Sequence, residues 1–243
     1  MEKTENQLGR IKTSTHGTIA LGVTETSGAS ILSSLIGAFH RQYPYIRYNI
    51  VGGSVDEVKE KLERGLVDMG LVRDPFDTET YESIFWKTES WIALLSREHP
   101  LAQSASGTVE LGQLAGESLI IPARPQLQNE IHNWFNLLSE ERNIFCLYNT
   151  LSCVVPMVED NIGIAICPES AQYTTNPQKL AYLKIIRPEH SSNLMLVRRR
   201  HQILPTATEC FWDFTRDYLR QDGPDGAGAA LRKTGTKTAS DTP

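Results

Sequence analysis

The sequence predicts an α/β fold made of two lobes that are joined by crossover strands. Residues 17–72 carry strand and helix signals in the order β-α-β-α-β. The same order returns over residues 118–168, and two more strand signals follow it. Because this alternation is typical of mainly parallel sheets, each module is predicted to form one lobe.

The spacing of apolar residues predicts the helices and strands of the first module. Apolar residues recur at helical spacing over 27–43, and Pro44 ends the helix because proline cannot continue it. Alternating apolar and polar residues over 46–50 predict a half-buried strand. A charged amphipathic helix then ends at Gly65, and the short apolar run 67–72 is typical of a strand buried in a parallel sheet.

The rest of the chain is read from the same signals. Residues 84–98 hold two strand-like runs, and the polar segment after them is predicted to be a loop. The later elements are predicted as strands at 118–122, 144–149, 162–168, 180–186 and 193–200 and as helices at 126–138, 151–158 and 203–219. From residue 220 the chain is rich in Gly, Ala, Thr and charge, which predicts a disordered tail over 220–243.

Composition and charge exclude several classes of protein. The 243 residues carry a formal net charge of −5, which argues against a duplex-binding surface on the chain as a whole. No run approaches the roughly 20 apolar residues of a membrane span, and the N-terminus lacks a secretory signal, so a soluble cytoplasmic protein is predicted. The cysteines lack the paired spacing of a metal site and are interpreted as buried thiols: Cys146, Cys153, Cys167 and Cys210.

The candidate binding residues stand where strands end and helices begin. Unpaired N–H groups and the helix dipole at a helix N-terminus favour small anionic ligands. The candidates are Thr24, Thr26, Ser27, Gly53 and Ser54 in the first lobe and Arg124, Thr150 and Ser152 in the second. A hydroxyl at such a position is also the usual N-cap of its helix, so each has a structural interpretation beside the functional one.

Two arginines bear on the charge of the ligand. Arg124 follows a buried strand, where its guanidinium could pair bidentately with a carboxylate, and a solvent-facing side chain is the alternative. Arg73 directly follows the third strand and is a weaker second candidate, because it could pair instead with Asp74 or Asp77. The pattern favours a site for a small organic anion, with no metal and no cofactor.

Four segments stand in an order and spacing that indicate a family. They are the FHRQYP segment that ends the first helix, the G-x-x-D-x-G-L element at Gly65 to Leu71, the strand that ends in REHPLA, and the E-x-x-x-G-I-A-I-x-P run from Glu159 to Pro168. Together they resemble the effector-binding domain of LysR-type transcriptional regulators over residues 17–219. The resemblance implies a type 2 periplasmic-binding-protein-like fold, in which two Rossmann-like α/β lobes surround a central small-molecule cleft.

The resemblance also implies the domain organisation. Residues 1–16 are expected to be the end of a linker helix and a linker, 17–95 with 193–219 the first effector-binding lobe, 96–192 the second lobe, and 220–243 the tail. A winged helix-turn-helix is expected ahead of this chain in a longer regulator, so promoter DNA would be bound only through that missing domain. Thr24, Thr26, Ser54 and the segment 150–152 fall where the family's effector contacts lie.

Self-association is a further implication of the family likeness. In the family, the first-lobe helix and strand of one subunit meet the second-lobe helix of its partner across a two-fold axis. This arrangement predicts a homodimer, with a tetramer as the alternative for the full-length protein. The interface residues are then Ile36, His40, Tyr43, Arg47 and Trp134.

Two other functions are compatible with a two-lobed α/β chain. An enzyme is disfavoured because the chain lacks the G-x-S-x-G, H-E-x-x-H, G-x-x-x-x-G-K-[ST] and G-x-G-x-x-G motifs, and its six histidines are scattered. A solute-binding protein of a transport system is disfavoured by the missing signal peptide. The predicted function is therefore effector binding without a catalytic residue, while the effector and the target genes cannot be read from the chain.

Overall fold

The computed structural model describes residues 16–103, 106–136 and 143–232. The chain forms two compact units. The first unit is built from the chain up to Lys87 and from Met195 onwards, and the second unit from Thr88 to Leu194. The predicted linker, except for residue 16, and the tail beyond residue 232 lie outside the described residues.

The first unit is a parallel α/β module. Its elements are β1 (Gly17–Thr24), α1 (Glu25–His40), β2 (Ile46–Gly53), α2 (Val55–Glu63) and β3 (Met69–Arg73). Strand β1 lies between β2 and β3 and pairs with both in parallel. The β-α-β-α-β order predicted for this part of the chain is confirmed, with element ends that shift by a few residues.

Helix α2 packs on this sheet through an apolar stripe. Val58 and Leu62 are fully buried on the stripe, while the opposite face of the helix is charged. Gly22 in β1 and Gly70 in β3 lie beneath Val58, so that a side chain at either position would collide with it. The two glycines therefore let the helix approach the strands closely.

The second unit repeats the α/β pattern. Its elements are β5 (Thr108–Glu110), β6 (Ser118–Pro122), α3 (Pro125–Asn136), β7 (Asn143–Tyr148), α4 (Val155–Glu159), β8 (Ile164–Pro168) and β9 (Leu180–Ile186). Strand β6 lies between β7 and β8, parallel to both. The order predicted for the second module is confirmed. Strand β5 was not predicted, because three residues are too few for a period of two to be recognised.

The helix predicted over 151–158 is shorter and divided. A 3-10 turn spans Leu151–Cys153, and α4 follows it as a helix of five residues. Pro156 lies in the first turn of α4, where its missing N–H costs no hydrogen bond. The apolar spacing of this segment is helical, but the segment does not form one continuous helix.

Two long strands carry the chain between the units. They are β4 (Tyr81–Ser96) and β10 (Ser191–Arg199). Strand β4 is one continuous strand of 16 residues, whereas two shorter runs were predicted. The prediction divided it because polar residues interrupt the apolar pattern in its middle, although the backbone stays extended there. The units divide at 87/88 and 194/195, whereas the predicted lobes divide at 95/96 and 192/193. A continuous strand offers no turn residue to mark such a boundary.

The last helix, α5 (Thr206–Arg232), continues through residues that were assigned to the tail, which was predicted to begin at 220. Ala227, Ala229 and Ala230 in this extension are strong helix formers. Glycines and charged residues are also frequent in this segment, and for that reason its composition predicted disorder and not a helix.

Partly buried polar contacts fix the start of α5 to the first unit. Arg198 of β10 donates from Nε to Glu82 at 2.9 Å and from a terminal nitrogen to Glu209 of α5 at 2.7 Å. Its guanidinium also lies 4.3 Å from the ring centroid of Trp212. At the other side of the helix start, the Thr208 hydroxyl donates to Asp68 at 3.2 Å.

The REHPLA segment is a structured turn. His99 Nδ1 accepts a hydrogen bond from the backbone N–H of Leu101 at 3.2 Å, which leaves its Nε2 facing Glu117 at 3.4 Å. The imidazole therefore links the turn to a neighbouring loop, and a structural role explains this histidine.

Candidate functional site

The carboxyl ends of β1 and β2 meet at one edge of the first unit. Thr24 and Gly53, both predicted binding residues, are direct partners in the parallel register of these strands. Thr24 is the N-cap of α1 and is 7% exposed. Its hydroxyl donates to the Leu71 carbonyl at 3.5 Å rather than to the helix, so Thr24 joins β1 to β3 at this edge.

Ser54 has a capping role in the structure. Its hydroxyl accepts a hydrogen bond from the Glu57 N–H at 3.3 Å, and the Glu57 carboxylate accepts one from the Ser54 N–H at 2.6 Å. These reciprocal bonds lower the pKa of Glu57. A Cβ on Gly53 would lie 2.9 Å from the same carboxylate, so glycine leaves room for the cap. Both predicted residues thus also shape the start of α2.

Thr26 and Ser27 lie in the first turn of α1. Their side chains lie outside the described part of the structure. The backbone alone places them at the same edge as Thr24, one helical turn or less from the end of β1. Their roles as effector contacts stay predictions.

Arg73 is better placed than its sequence context indicated. It is the last residue of β3 and is only 8% exposed. Because β3 runs parallel to β1, Arg73 lies at the same edge as Thr24 and Gly53. The burial of Arg73 is not visible in the sequence. The position at the end of a fully buried strand was the available signal.

A second edge gathers the candidates of the second unit. Strands β6 and β7 pair in parallel up to Pro122 and Tyr148. Arg124 directly precedes α3 and is half-buried, and its carbonyl accepts from the Gln128 N–H at 3.0 Å. Thr150 and Ser152 follow β7 and are exposed, with Thr150 as the N-cap of the 3-10 turn. The structure therefore brings Arg124 and the 150–152 segment to neighbouring strand ends.

A match to a known protein family identifies the family of this chain. The LysR substrate binding domain family matches residues 12–220. The chain belongs to this family. As a LysR substrate-binding domain it has the type 2 periplasmic-binding-protein-like fold.

Individual relatives agree with the family. The HTH-type transcriptional regulator YfeR of Shigella flexneri is 28% identical over 222 residues, which are 89% of this chain and 70% of YfeR. The effector-binding domain of QuiR in complex with shikimate has a TM-score of 0.73 at 22% identity, covering 85% of this chain and 99% of that chain. The effector-binding domain of BenM with benzoate has a TM-score of 0.69 at 19% identity, covering 85% and 94%. The relatives are transcriptional regulators, so the transport alternative is not supported.

The residues predicted for a dimer interface of this LysR substrate-binding domain differ in exposure. His40 and Arg47 are exposed, and Ile36 and Tyr43 are half-buried. Tyr43 stacks on Phe39 with ring centroids 4.4 Å apart. Burial, and then the neighbouring Cys210 thiol, raise the pKa of Tyr43. Tyr43 therefore already packs within its own unit.

Trp134 lies in the core of the second unit. It is 3% exposed, stacks on His190 at 3.8 Å between ring centroids, and meets Trp91 edge-on at 5.6 Å. The expectation that its indole contacts a partner does not fit this burial. A partner on this unit would meet exposed residues instead, and helical spacing alone could not show which face of α3 is covered.

Two edge strands of the LysR substrate-binding domain expose apolar side chains. Strand β2 lies at an edge of the first unit and β7 at an edge of the second. Beside and within them, large apolar side chains are 41–57% exposed: Tyr45, Ile50, Ile144, Phe145 and Leu147. Exposed apolar side chains that lie together are typical of interaction surfaces. The residues on β7 were not predicted, because their run reads equally well as a buried strand.

Several expected features can be checked only in the described residues. There, no group of three or more His, Cys, Asp or Glu side chains could hold a metal ion. No described helix is long and apolar enough to cross a membrane. The prediction of buried thiols holds for Cys167 but is wrong for Cys153, which is exposed in its short turn.

Proposed function

We propose that this domain binds a small organic carboxylate and thereby controls a LysR-type transcriptional regulator in the cytoplasm. The observation that carries the proposal is the strand edge that Thr24, Gly53 and Arg73 share, where α1 begins. A helix N-terminus and an arginine at the same edge both favour an anion. The hydroxyl of Thr24 can add a hydrogen bond that fixes its orientation.

The second unit supports the same charge for the ligand. Arg124 stands immediately before the first residue of α3, where the helix dipole is positive. A positive side chain at this end of a helix is unfavourable by itself, so an anion there would be held by both. Thr150 and Ser152, exposed at the neighbouring strand end, would contribute hydroxyls.

The ligands of two structural relatives support the chemical class. Shikimate, seen with QuiR, and benzoate, seen with BenM, are both small ring carboxylates. The likeness to those proteins is one of fold, so neither acid is assigned to this chain. The proposal takes from them only a class of ligand that the arginines can recognise.

A thermal-shift screen tests the proposal. The full chain is mixed with small organic acids that include benzoate and shikimate, and each acid is paired with its neutral amide or ester. A bound acid at 100 times its Kd should stabilise the fold by about 2.7 kcal/mol, while its neutral analogue should not. Equal stabilisation by acid and analogue would contradict an anionic site.

Calorimetry on variants then assigns the arginines. Arg124→Ala should weaken binding of the acid by roughly 1.5 to 3 kcal/mol, and Arg124→Lys should recover only part because the planar fork is lost. Arg73→Gln should weaken binding of the acid at least as much as Arg124→Ala. Arg216→Ala, which removes a half-exposed arginine paired with Asp213, is the matched control and should leave affinity unchanged.

We further propose that DNA is contacted by a separate helix-turn-helix domain of the regulator and that the substrate-binding domain forms a homodimer. The net charge of −5 supports the first part, because phosphate contacts need a positive surface. Apolar side chains exposed beside β2 and on β7 support the second. A salt-resistant, sequence-selective complex of this chain with duplex DNA would refute the assignment of DNA binding.

A further inference from the structure

The N-terminus of α2 already holds a carboxylate that belongs to the chain itself. The Glu57 carboxylate accepts a hydrogen bond from the Ser54 N–H at 2.6 Å, and the Ser54 hydroxyl accepts one from the Glu57 N–H at 3.3 Å. The N–H groups at this end of a helix otherwise face solvent or bind an anionic ligand. The Glu57 carboxylate therefore occupies the position that an anion would take at α2.

This carboxylate lies close to the strand edge that is proposed to bind the effector. A Cβ on Gly53 would lie 2.9 Å from Glu57 Oε2, and Gly53 is the direct partner of Thr24 in β1. Because neighbouring strands are about 4.8 Å apart, Glu57 Oε2 lies within about 10 Å of the Thr24 Cα atom. An effector that extends from Thr24 towards Ser54 brings its far end closer to the Glu57 carboxylate than that.

The Glu57 carboxylate carries a fixed negative charge. Its bonds with Ser54, first with the backbone N–H and then with the side chain, lower the pKa of Glu57. Glu57 also lies in the first turn of α2, where the helix dipole stabilises a negative charge. The two helices that begin at this edge thus differ, because Thr24, the N-cap of α1, makes no side-chain cap bond to its own helix.

We propose that Glu57 determines the specificity of the domain, so that it selects a monocarboxylate whose other end carries a hydroxyl or another hydrogen-bond donor. This inference rests on the proposed function, in which the acid group of the effector binds at the edge of Thr24 and Arg73. A donor at the Ser54 end can bond to the Glu57 carboxylate, whose oxygens accept several hydrogen bonds, whereas a second carboxylate there is repelled. Because Glu57 is exposed, solvent and salt screen this repulsion, and a dicarboxylate should bind about tenfold more weakly.

Sulfate tests the occupied N-terminus of α2 without any effector. Backbone 15N–1H spectra of the full chain are recorded in sodium sulfate and in sodium chloride of the same ionic strength. The amides of Ser54 and Val55 should shift with sulfate in Glu57→Ala and stay in place in the unmodified chain. Glu60→Ala removes an exposed carboxylate that pairs with Arg64 on the same helix, and should behave like the unmodified chain. Equal responses in Glu57→Ala and the unmodified chain would overturn the inference.

Calorimetry with matched ring acids tests the selectivity. In the pairs 4-hydroxybenzoate with terephthalate and 3-hydroxybenzoate with isophthalate, a hydroxyl and a carboxylate exchange at one ring position. The unmodified chain should bind each hydroxy acid about tenfold more tightly than its dicarboxylate. Glu57→Gln keeps an oxygen that can cap the Ser54 N–H but removes the charge, so the ratio should fall towards one. Glu60→Gln should leave the ratio unchanged.

The two measurements separate this inference from the function on which it rests. Equal binding of both members of a pair by the unmodified chain, or the same ratio in Glu57→Gln, would overturn the role of Glu57. Absence of binding by every acid would instead contradict the proposed carboxylate site, and the sulfate spectra would then decide alone whether Glu57 excludes anions from α2.

Discussion

Val58 packs so closely on Gly22 that a Cβ on the glycine would lie 2.7 Å from Val58 Cγ1. Gly22→Ala should therefore destabilise the first unit by about 1 to 3 kcal/mol through overpacking. Val58→Ala in the same chain should recover part of that loss, because it removes the colliding methyl. Urea unfolding of the two single variants and the double variant measures the coupling.

A second glycine provides the control for this test. Gly37 lies within α1, and a Cβ there would meet no atom within 4 Å. Gly37→Ala should leave stability unchanged or raise it by up to about 1 kcal/mol, since alanine is the better helix former. If Gly22→Ala behaved like Gly37→Ala, the close approach of α2 to β1 would be refuted.

Ser54 is expected to act in stability as well as in binding. Ser54→Ala removes the acceptor for the Glu57 N–H and should lower the free energy of unfolding by about 0.5 to 2 kcal/mol. Ser54→Asp keeps a capping oxygen and should restore stability, yet its charge should repel a carboxylate effector. Loss of binding in Ser54→Asp with normal stability would separate the two roles, and normal binding would exclude Ser54 from the site.

Arg198 is expected to be the most sensitive of the late arginines. Its side chain is 17% exposed and holds both Glu82 and Glu209. Arg198→Met should lower the free energy of unfolding by about 1.5 to 3 kcal/mol, because charge-assisted bonds are lost and two carboxylates stay close together. Arg216→Ala, which removes an exposed i,i+3 ion pair, should change the free energy of unfolding by less than about 0.5 kcal/mol. Similar losses in both variants would contradict a special role for Arg198.

The dimer is tested at the edge strand β7. Phe145 is 51% exposed, so Phe145→Glu should cost the isolated fold little. If β7 is covered by a second copy, the charge should separate the subunits, and light scattering should report a mass near 27.2 kDa in place of about twice that value. Thr174→Glu, on an exposed turn, is the control. A monomeric unmodified chain at micromolar concentration would refute the dimer.

His190 should contribute to the acid sensitivity of the fold. Burial lowers its pKa from the ordinary 6.5, so the unfolded chain binds this proton more readily than the folded chain. Stability from the neutral ring is then fully present above pH 6.5 and is lost as the pH falls through the window below it. His190→Gln should flatten the pH dependence of the urea midpoint in that window.

The sequence predicted the order of the elements because period and turn chemistry are local. Gly65 ends α2 in the expected place and has the positive φ of 66° that a helix C-terminus favours, whereas α1 ends at His40, a few residues before the end that Pro44 predicted. Continuity was harder to predict, since the middle of β4 is polar and its strand character comes from pairing with neighbours that are distant in the chain.

The positions of the candidate residues at strand ends could be predicted from the sequence, but the burial of individual side chains could not. Thr24, Gly53 and Arg124 stand at strand ends, as the βαβ order requires. Arg73 and Trp134 could not be ranked correctly, because fractional exposure depends on packing by several elements at once. Both residues are nearly enclosed, which makes one a stronger binding candidate and the other a weaker interface candidate.

The first unit is made of two separated stretches of chain, and this has a consequence for synthesis. Val197, which completes the cluster of Val58 and Leu62, is translated only after the whole of the second unit. We expect residues 88–194 to fold first on the ribosome, while the strands made earliest wait with an open apolar face. Within this domain, the strands that are translated earliest are thus expected to stay exposed for the longest time.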